Sequence, residues 1–338
     1  MFGLETIELK NKQGKNFYYN SRKIKKKLEE IEDLISKYRF LSNYSEPKRE
    51  IREGIFGGYN SQIRENQSNA YKFILNRPDL TEENLHILYE ILSNNQLDEY
   101  SELEEKGSYR QRGVYIIESF SPLLVNSVCD KGLDPSLVPK YMKDLFAFLN
   151  RNDLDPFIKT QIAHLYFVFV HPFYDVNGRT AKTLSSWSLI NNNKNPYTII
   201  NRGISFNRSD YLTSVKKSLK GNITPFLDFS LDTVKKEIQI LIKIHLLRKE
   251  YNLTSEECET IELLLKSPKK TLPSLYNSFY YQKGINDKRL IVKKLLQLLE
   301  KNVVSYDKDT KEITLLDTKE SKKGYRRSYE SGQNRKFH

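Results

Sequence analysis

Residues 155–182 read DPFIKTQIAHLYFVFVHPFYDVNGRTAK, and their reading decides the fold. Asp155 followed by Pro156 marks a helix start: the carboxylate caps free N–H groups, and proline lacks an N–H where the helix needs none. QIAHLYFVFV, residues 161–170, is apolar on nearly every side, which predicts a central buried helix that delivers His171 to its end. Asn177 and Gly178 suit positive φ or close backbone approach, and TAKTLSSWSLI then resumes a helical pattern. The free N–H groups of that second helix start would face the loop, which makes it an anion site. Arg179 and Lys182, three apart, point positive charge at the same place. His164 lies seven residues before His171 on the same face, but no cysteine or further histidine completes a metal set. It is expected to be buried and hydrogen-bonded.

The stretch from His171 to Lys182 resembles the signature of the Fic family, HxFx(D/E)GNGRxx(R/K). His171, Phe173, Asp175, Asn177, Gly178 and Arg179 match it, while Val176 replaces a glycine and Lys182 replaces the second arginine. The resemblance implies that His171 takes a proton from a target hydroxyl and that Asp175 holds Mg²⁺ or Mn²⁺. It also implies that Asn177, Gly178, Arg179 and Lys182 bind the phosphates of ATP, with AMP left on Ser, Thr or Tyr of a protein. The departures matter chemically, because valine disfavours positive φ and lysine offers a point charge in place of a fork.

Two further segments extend the likeness. SQIREN, Ser61 to Asn66, fits the (S/T)xxxE(G/N) pattern of the family's inhibitory helix, with Ser61 and Glu65 one turn apart. The resemblance implies that Glu65 pairs with Lys182 and blocks the productive pose of the γ-phosphate. GSYRQRGVYI, Gly107 to Ile116, is similar to the segment that opens the family's flap, a short hairpin over about 113–135 including Phe120, Leu123 and Val125. Such a flap would hold a target peptide as an added strand. Tyr211 corresponds to a tyrosine that walls the adenine pocket.

The implied fold is mainly α: a Fic-type helical bundle with a small β-hairpin flap, then a winged helix-turn-helix domain. Residues 1–59 read as a basic helical lead-in, with Ile24, Leu28, Ile31, Leu34 and Ile35 at helical spacing. The catalytic part takes 60–231 and a connecting helix 232–252. In 253–318, Thr254 caps the first of three short helices, and NVVSYD and EITLLD form a two-stranded wing. Arg289, Lys293 and Lys294 on the third helix are its candidate DNA-phosphate contacts, with docking or homodimerisation as the other use. Residues 319–338 read as a basic disordered tail.

Composition narrows the setting. Two cysteines, Cys129 and Cys258, give no disulfide framework, and no apolar run reaches the roughly 20 residues that span a bilayer. A cytoplasmic protein without membrane association is expected. The net charge of +12 favours acidic partners, although much of it sits in runs such as RKIKKK at Arg22 to Lys27. The reading is a self-inhibited protein adenylyltransferase that also modifies itself. Three alternatives stay open: removal of AMP with Glu65 orienting a water, transfer of another phosphate-linked group, and a DNA-binding regulator with a vestigial site.

Overall fold

The computed structural model describes residues 3–53, 61–96, 108–118, 127–267, 269–283 and 285–316. The chain divides into two compact units, Met1–Phe56 with Asn60–Glu237, and Gly57–Tyr59 with Ile238–His338. The first unit opens on an antiparallel hairpin, β1 (Leu4–Lys10) and β2 (Asn16–Asn20), with Ile7 opposite Phe17. This corrects the helical reading of the first residues. Ile7, Leu9, Phe17 and Tyr19 are all buried, so the apolar period here is two, and Gly14 takes the turn at φ +71°. Helix begins only at α1 (Ser21–Lys37), where the Asn20 side chain accepts the N–H of Lys23 at 3.1 Å.

α1 buries Ile24 and Ile31 and ties its charged face to acidic neighbours. Lys23 meets Asp228 at 2.8 Å, Lys27 meets Asp232 at 2.6 Å, and Glu30 meets Lys235 at 2.6 Å. Part of the basic run is therefore neutralised within the fold. After it come α2 (Arg39–Ser42), α3 (Glu46–Glu53), α4 (Ser61–Leu75), α5 (Glu82–Ser93), the hairpin β3 (Tyr115–Glu118) and β4 (Ser127–Lys131), and α6 (Val138–Leu149).

Two helices form the centre. In α7 (Pro156–Val170) every residue except Pro156 and Val168 is buried, as its all-round apolar sequence requires. In α8 (Asn177–Asn191) every residue is buried except Gly178, Arg179, Lys182 and Asn191. Three of those four exceptions are candidate site residues, so the helix leaves uncovered the stripe that the signature would use. Next come α9 (Ile200–Phe206), α10 (Arg208–Ser218) and α11 (Thr224–Tyr251). The last is one unbroken helix, which corrects the boundary placed at 231/232. Pro225 sits harmlessly in its first turn, and no glycine or proline interrupts residues 226–251. The compact units divide within it, between Glu237 and Ile238.

The second unit has the expected element order: α12 (Ser255–Lys266), α13 (Leu272–Lys283), α14 (Lys288–Glu300), then β5 (Val304–Tyr306) antiparallel to β6 (Ile313–Leu315). Thr254 and Glu257 form a complete capping box. Ile261, Leu275, Phe279, Ile291 and Leu298 are buried as its core. Lys294 is corrected as a DNA contact: it is buried and pairs with Glu256 at 2.5 Å, while Arg289 and Lys293 are exposed. Among the described residues no helix is long and apolar enough to cross a membrane.

Candidate functional site

The site is built at the junction of α7 and α8. Asp155 starts α7 as its sequence foretells, its Oδ1 accepting the N–H groups of Phe157 and Ile158 at 2.8 and 3.1 Å. At the other end His171 stops the helix in the left-handed conformation, φ 51° and ψ 60°, with its N–H bonded to the Phe167 carbonyl at 2.9 Å. Phe173 then plugs the loop into the core. Its ring is fully buried, stacked on Tyr89 at 3.7 Å and met edge-on by His86 at 5.7 Å.

Asn177 closes the same loop. Its side chain accepts the Phe173 N–H at 3.0 Å and donates to the Phe173 carbonyl at 2.7 Å. The side chain expected on phosphate is thus committed to the loop, which leaves its backbone N–H for an anion. Positive φ also falls elsewhere than expected: Asn177 and Gly178 are already helical, and Val176 carries φ 62°. The reversal must be complete before α8 begins, so it lands on the preceding residue. The Val176 side chain is 3% exposed, so it does not crowd the open side of the loop.

The start of α8 has the features of an anion seat. The Val176 carbonyl accepts the N–H groups of Arg179 and Thr180 at 3.0 and 2.9 Å, so those of Asn177 and Gly178 have no carbonyl ahead of them in the helix. A Cβ placed on Gly178 would meet nothing within 4 Å, which marks open space in front of those groups. Arg179 Nη1 is buried with no hydrogen-bond partner among the described residues. Asp175 is exposed at the rim, its Oδ1 accepting the Val176 N–H at 2.6 Å.

Burial pushes the His171 imidazole down to about 4, Arg110 adding to the effect while the Val168 carbonyl and Asp175 oppose it. His171 is therefore neutral near pH 7, although its Nδ1 has no hydrogen bond of good geometry. Burial likewise lowers the Arg179 guanidinium and the Lys182 ammonium, the latter also through Arg208 and Arg179. A neutral imidazole and under-compensated cations around an open helix start can deprotonate a hydroxyl beside a bound phosphate.

Comparison with known proteins agrees with this geometry. The Fic/DOC family pattern matches residues 79–189. The chain contains a Fic domain. It is 30% identical over 131 residues to the protein adenylyltransferase Fic of Drosophila willistoni, covering 38% of this chain and 26% of that relative. It is 29% identical over 128 residues to the protein adenylyltransferase fic-1 of Caenorhabditis elegans, covering 37% of this chain and 22% of that relative. The chain thus spans about a quarter of the length of the curated relatives it matches. The crystal structure of a Fic family protein from Desulfovibrio desulfuricans G20 shares the fold, with a TM-score of 0.50 at 18% identity, covering 87% of this chain and 96% of that one.

Around the Fic signature, α4 lies against α8, and Gln67 Nε2 donates to Thr183 Oγ1 at 3.1 Å. The segment expected to inhibit is therefore beside the signature helix. The expected pair is not formed, however: Glu65 and Ser61 are exposed, and among the described residues no salt bridge joins Glu65 to Lys182 or Arg179. Glu50 of α3 is the acidic group whose charge, when ionised, opposes the lowering of Lys182. Burial and the neighbouring Glu46 hold the Glu50 carboxyl well above the usual carboxylate range, while Glu46 pairs with Arg202 at 3.3 Å. Sequence reading missed Glu46, Glu50, Arg202 and Arg208. Only the tertiary fold joins them, Glu46 and Arg202 being 156 residues apart.

His164 meets its expectation, with Nδ1 2.9 Å from Ser185 Oγ and Nε2 2.9 Å from Tyr211 OH. Tyr211 joins α7 to α11. Its hydroxyl is tied to His164, and its ring packs against His164, Phe226 and Phe229. The flap hairpin is present, with Tyr115 opposite Lys131. Phe120, Leu123 and Val125 lie outside the described residues, as does the tail from 319 onward.

Proposed function

We propose that the chain transfers AMP from ATP to a Ser, Thr or Tyr hydroxyl of a protein, itself included. One observation carries the reading: a neutral imidazole ends α7 directly ahead of an α8 start with open N–H groups and an Arg179 nitrogen without a partner among the described residues. The names of the matched relatives, both protein adenylyltransferases, point to the same transfer.

In this reading the backbone at Asn177 and Gly178, with Arg179 and Lys182, seats the phosphates. Nδ1 of His171 is buried, so Nε2 is the nitrogen left to take the proton of the target hydroxyl. The hydroxyl oxygen forms a bond to the α-phosphorus, the bond from that phosphorus to the bridging oxygen breaks, and pyrophosphate leaves. Positioning and charge neutralisation supply most of the acceleration. Asp175 would hold a divalent cation: it is exposed, and among the described residues its Oδ2 has no partner. A hard cation shared with phosphates and water needs few protein ligands, and when bound it neutralises phosphate charge. The β3–β4 hairpin would take the target peptide as an added strand.

Regulation from α4 belongs to the same proposal, with Glu65 held one helix away from the seat. The test is incubation of wild type, His171→Ala and Glu65→Gly with each labelled nucleoside triphosphate and Mg²⁺ or Mn²⁺. His171→Ala should lose at least about 10²-fold of protein labelling while still binding ATP. Unchanged labelling by a folded His171→Ala would refute the mechanism. Release of AMP from a pre-labelled target would favour the reverse reaction instead. The second unit, with the helices and hairpin of a winged helix-turn-helix, is proposed to dock a partner, with duplex DNA as one class.

A further inference from the structure

Arg110 is 1% exposed, yet among the described residues every hydrogen-bond acceptor of its guanidinium is a backbone carbonyl. Nε donates to His171 O at 2.7 Å, and Nη2 donates to Leu133 O at 2.6 Å and to Val170 O at 3.4 Å. Nη1 reaches Arg112 O at 2.8 Å, and the Arg110 backbone N–H donates to Pro172 O at 3.0 Å. Arg112 and Leu133 are the two roots of the β3–β4 hairpin, and Val170 and His171 are the end of α7. A buried cation is costly, and here the partial negative charge of the helix C-terminus helps offset it. Only the planar fork of arginine reaches carbonyls on so many sides at once.

Two neighbouring features serve the same junction. A Cβ on Gly132 would lie 2.7 Å from Val114 Cγ2 and 3.3 Å from Arg110 Nη2, so glycine is what lets the hairpin root close on the guanidinium. The Tyr174 hydroxyl, inside the signature loop, accepts the N–H groups of Gln111 and Arg112 at 3.0 and 2.9 Å.

We propose that Arg110 is a positioning residue, fixing the His171 backbone to both roots of the flap so that a peptide seated on the hairpin sets the place of the base. The proposal rests on the transfer reading above, but its closing experiment does not. The imidazole of His171 is titrated by NMR in the unliganded wild type, Arg110→Ala, Arg110→Lys and Gly132→Ala. Arg110→Ala should bring the titration up toward the ordinary imidazole value, and Gly132→Ala should move it in the same direction.

Self-modification with labelled ATP supplies the second readout. Arg110→Ala should lower kcat at least about 10-fold while KM for ATP stays within about 3-fold, since a displaced base costs rate and leaves the α8 seat intact. Added guanidinium ion should restore part of the loss, and Arg110→Lys should restore little. A folded Arg110→Ala with wild-type titration and kcat overturns the proposal, as does a loss confined to KM for ATP. If Arg110→Ala fails to fold, Gly132→Ala and Tyr174→Phe decide it by the same two readouts. A wild type that labels nothing refutes the transfer reading, and the titration still judges Arg110.

Discussion

Val176 offers a sharp test of the loop, because two opposed effects meet on one side chain. It sits at φ 62°, a conformation that crowds any Cβ, and it is 3% exposed. Val176→Ala keeps the left-handed backbone and removes two buried methyl groups, which should cost about 2 kcal/mol at roughly 0.8 kcal/mol per group plus a residual cavity. Val176→Gly also loses the Cβ, roughly 0.8 kcal/mol more, but escapes the left-handed penalty of about 1–2 kcal/mol. Against that stands about 0.4–1 kcal/mol for the added freedom of glycine in the unfolded chain. Glycine should therefore match alanine to within about 1 kcal/mol, where without relief of strain it would fall below alanine by about 1.5 kcal/mol, and both should be less stable than wild type by about 2 kcal/mol. Urea denaturation of the three proteins measures this directly. A glycine variant less stable than the alanine variant by about 1.5 kcal/mol or more would refute the strain argument. Because the valine faces inward, KM for ATP should change by less than about 3-fold in either variant, whereas a side chain crowding the phosphates would predict a clear fall.

Three other outcomes follow from the geometry. With His171 at about 4 in the folded protein against 6.5 unfolded, its contribution to stability is whole above pH 6.5 and is lost as pH falls from there through about 4. The acid limb of kcat/KM should track that lower value, and a limb near 6.5 would contradict the burial of the ring. Asp155→Ala, which strips two N–H groups of their acceptor, should cost about 1–2 kcal/mol in urea unfolding. Because burial and Glu46 hold the Glu50 carboxyl above the usual carboxylate range, it is largely protonated at pH 7, and Glu50→Gln should leave self-modification within about 3-fold of wild type; a larger rise in a labelling assay would show that an ionised Glu50 restrains Lys182.

Much of the fold can be read from the chain because the decisive signals are local. Asp155-Pro156, the unbroken apolar run of α7 and Thr254 with Glu257 each act within a few residues, and each forms the element its chemistry specifies. The misreadings have physical causes. The period of two at Ile7, Leu9, Phe17 and Tyr19 runs through only two buried positions on each strand, and the Asn-Gly pair is preceded by the valine that makes the turn. Lys294 looked free because its partner Glu256 lies on another helix, 38 residues away. Arg110 could be quoted from a motif, but its role lay in carbonyls of distant residues, which carry no side-chain signature. The site is legible where chemistry follows the chain and hidden where α3, α4 and α10 converge on α8.

The closed loop from Phe173 to Asn177 bears on how the protein would choose its nucleotide. Asn177 holds both polar groups of the Phe173 backbone, and the ring is clamped against Tyr89, so the seat at α8 is shaped before any ligand arrives. A seat that needs no ordering adds little entropic penalty on association. What it offers, moreover, is backbone N–H groups and cations, none of which distinguishes one heterocycle from another. Different nucleoside triphosphates, and pyrophosphate itself, should therefore compete for it with similar strength, and discrimination among purines and pyrimidines would have to arise from contacts outside the loop.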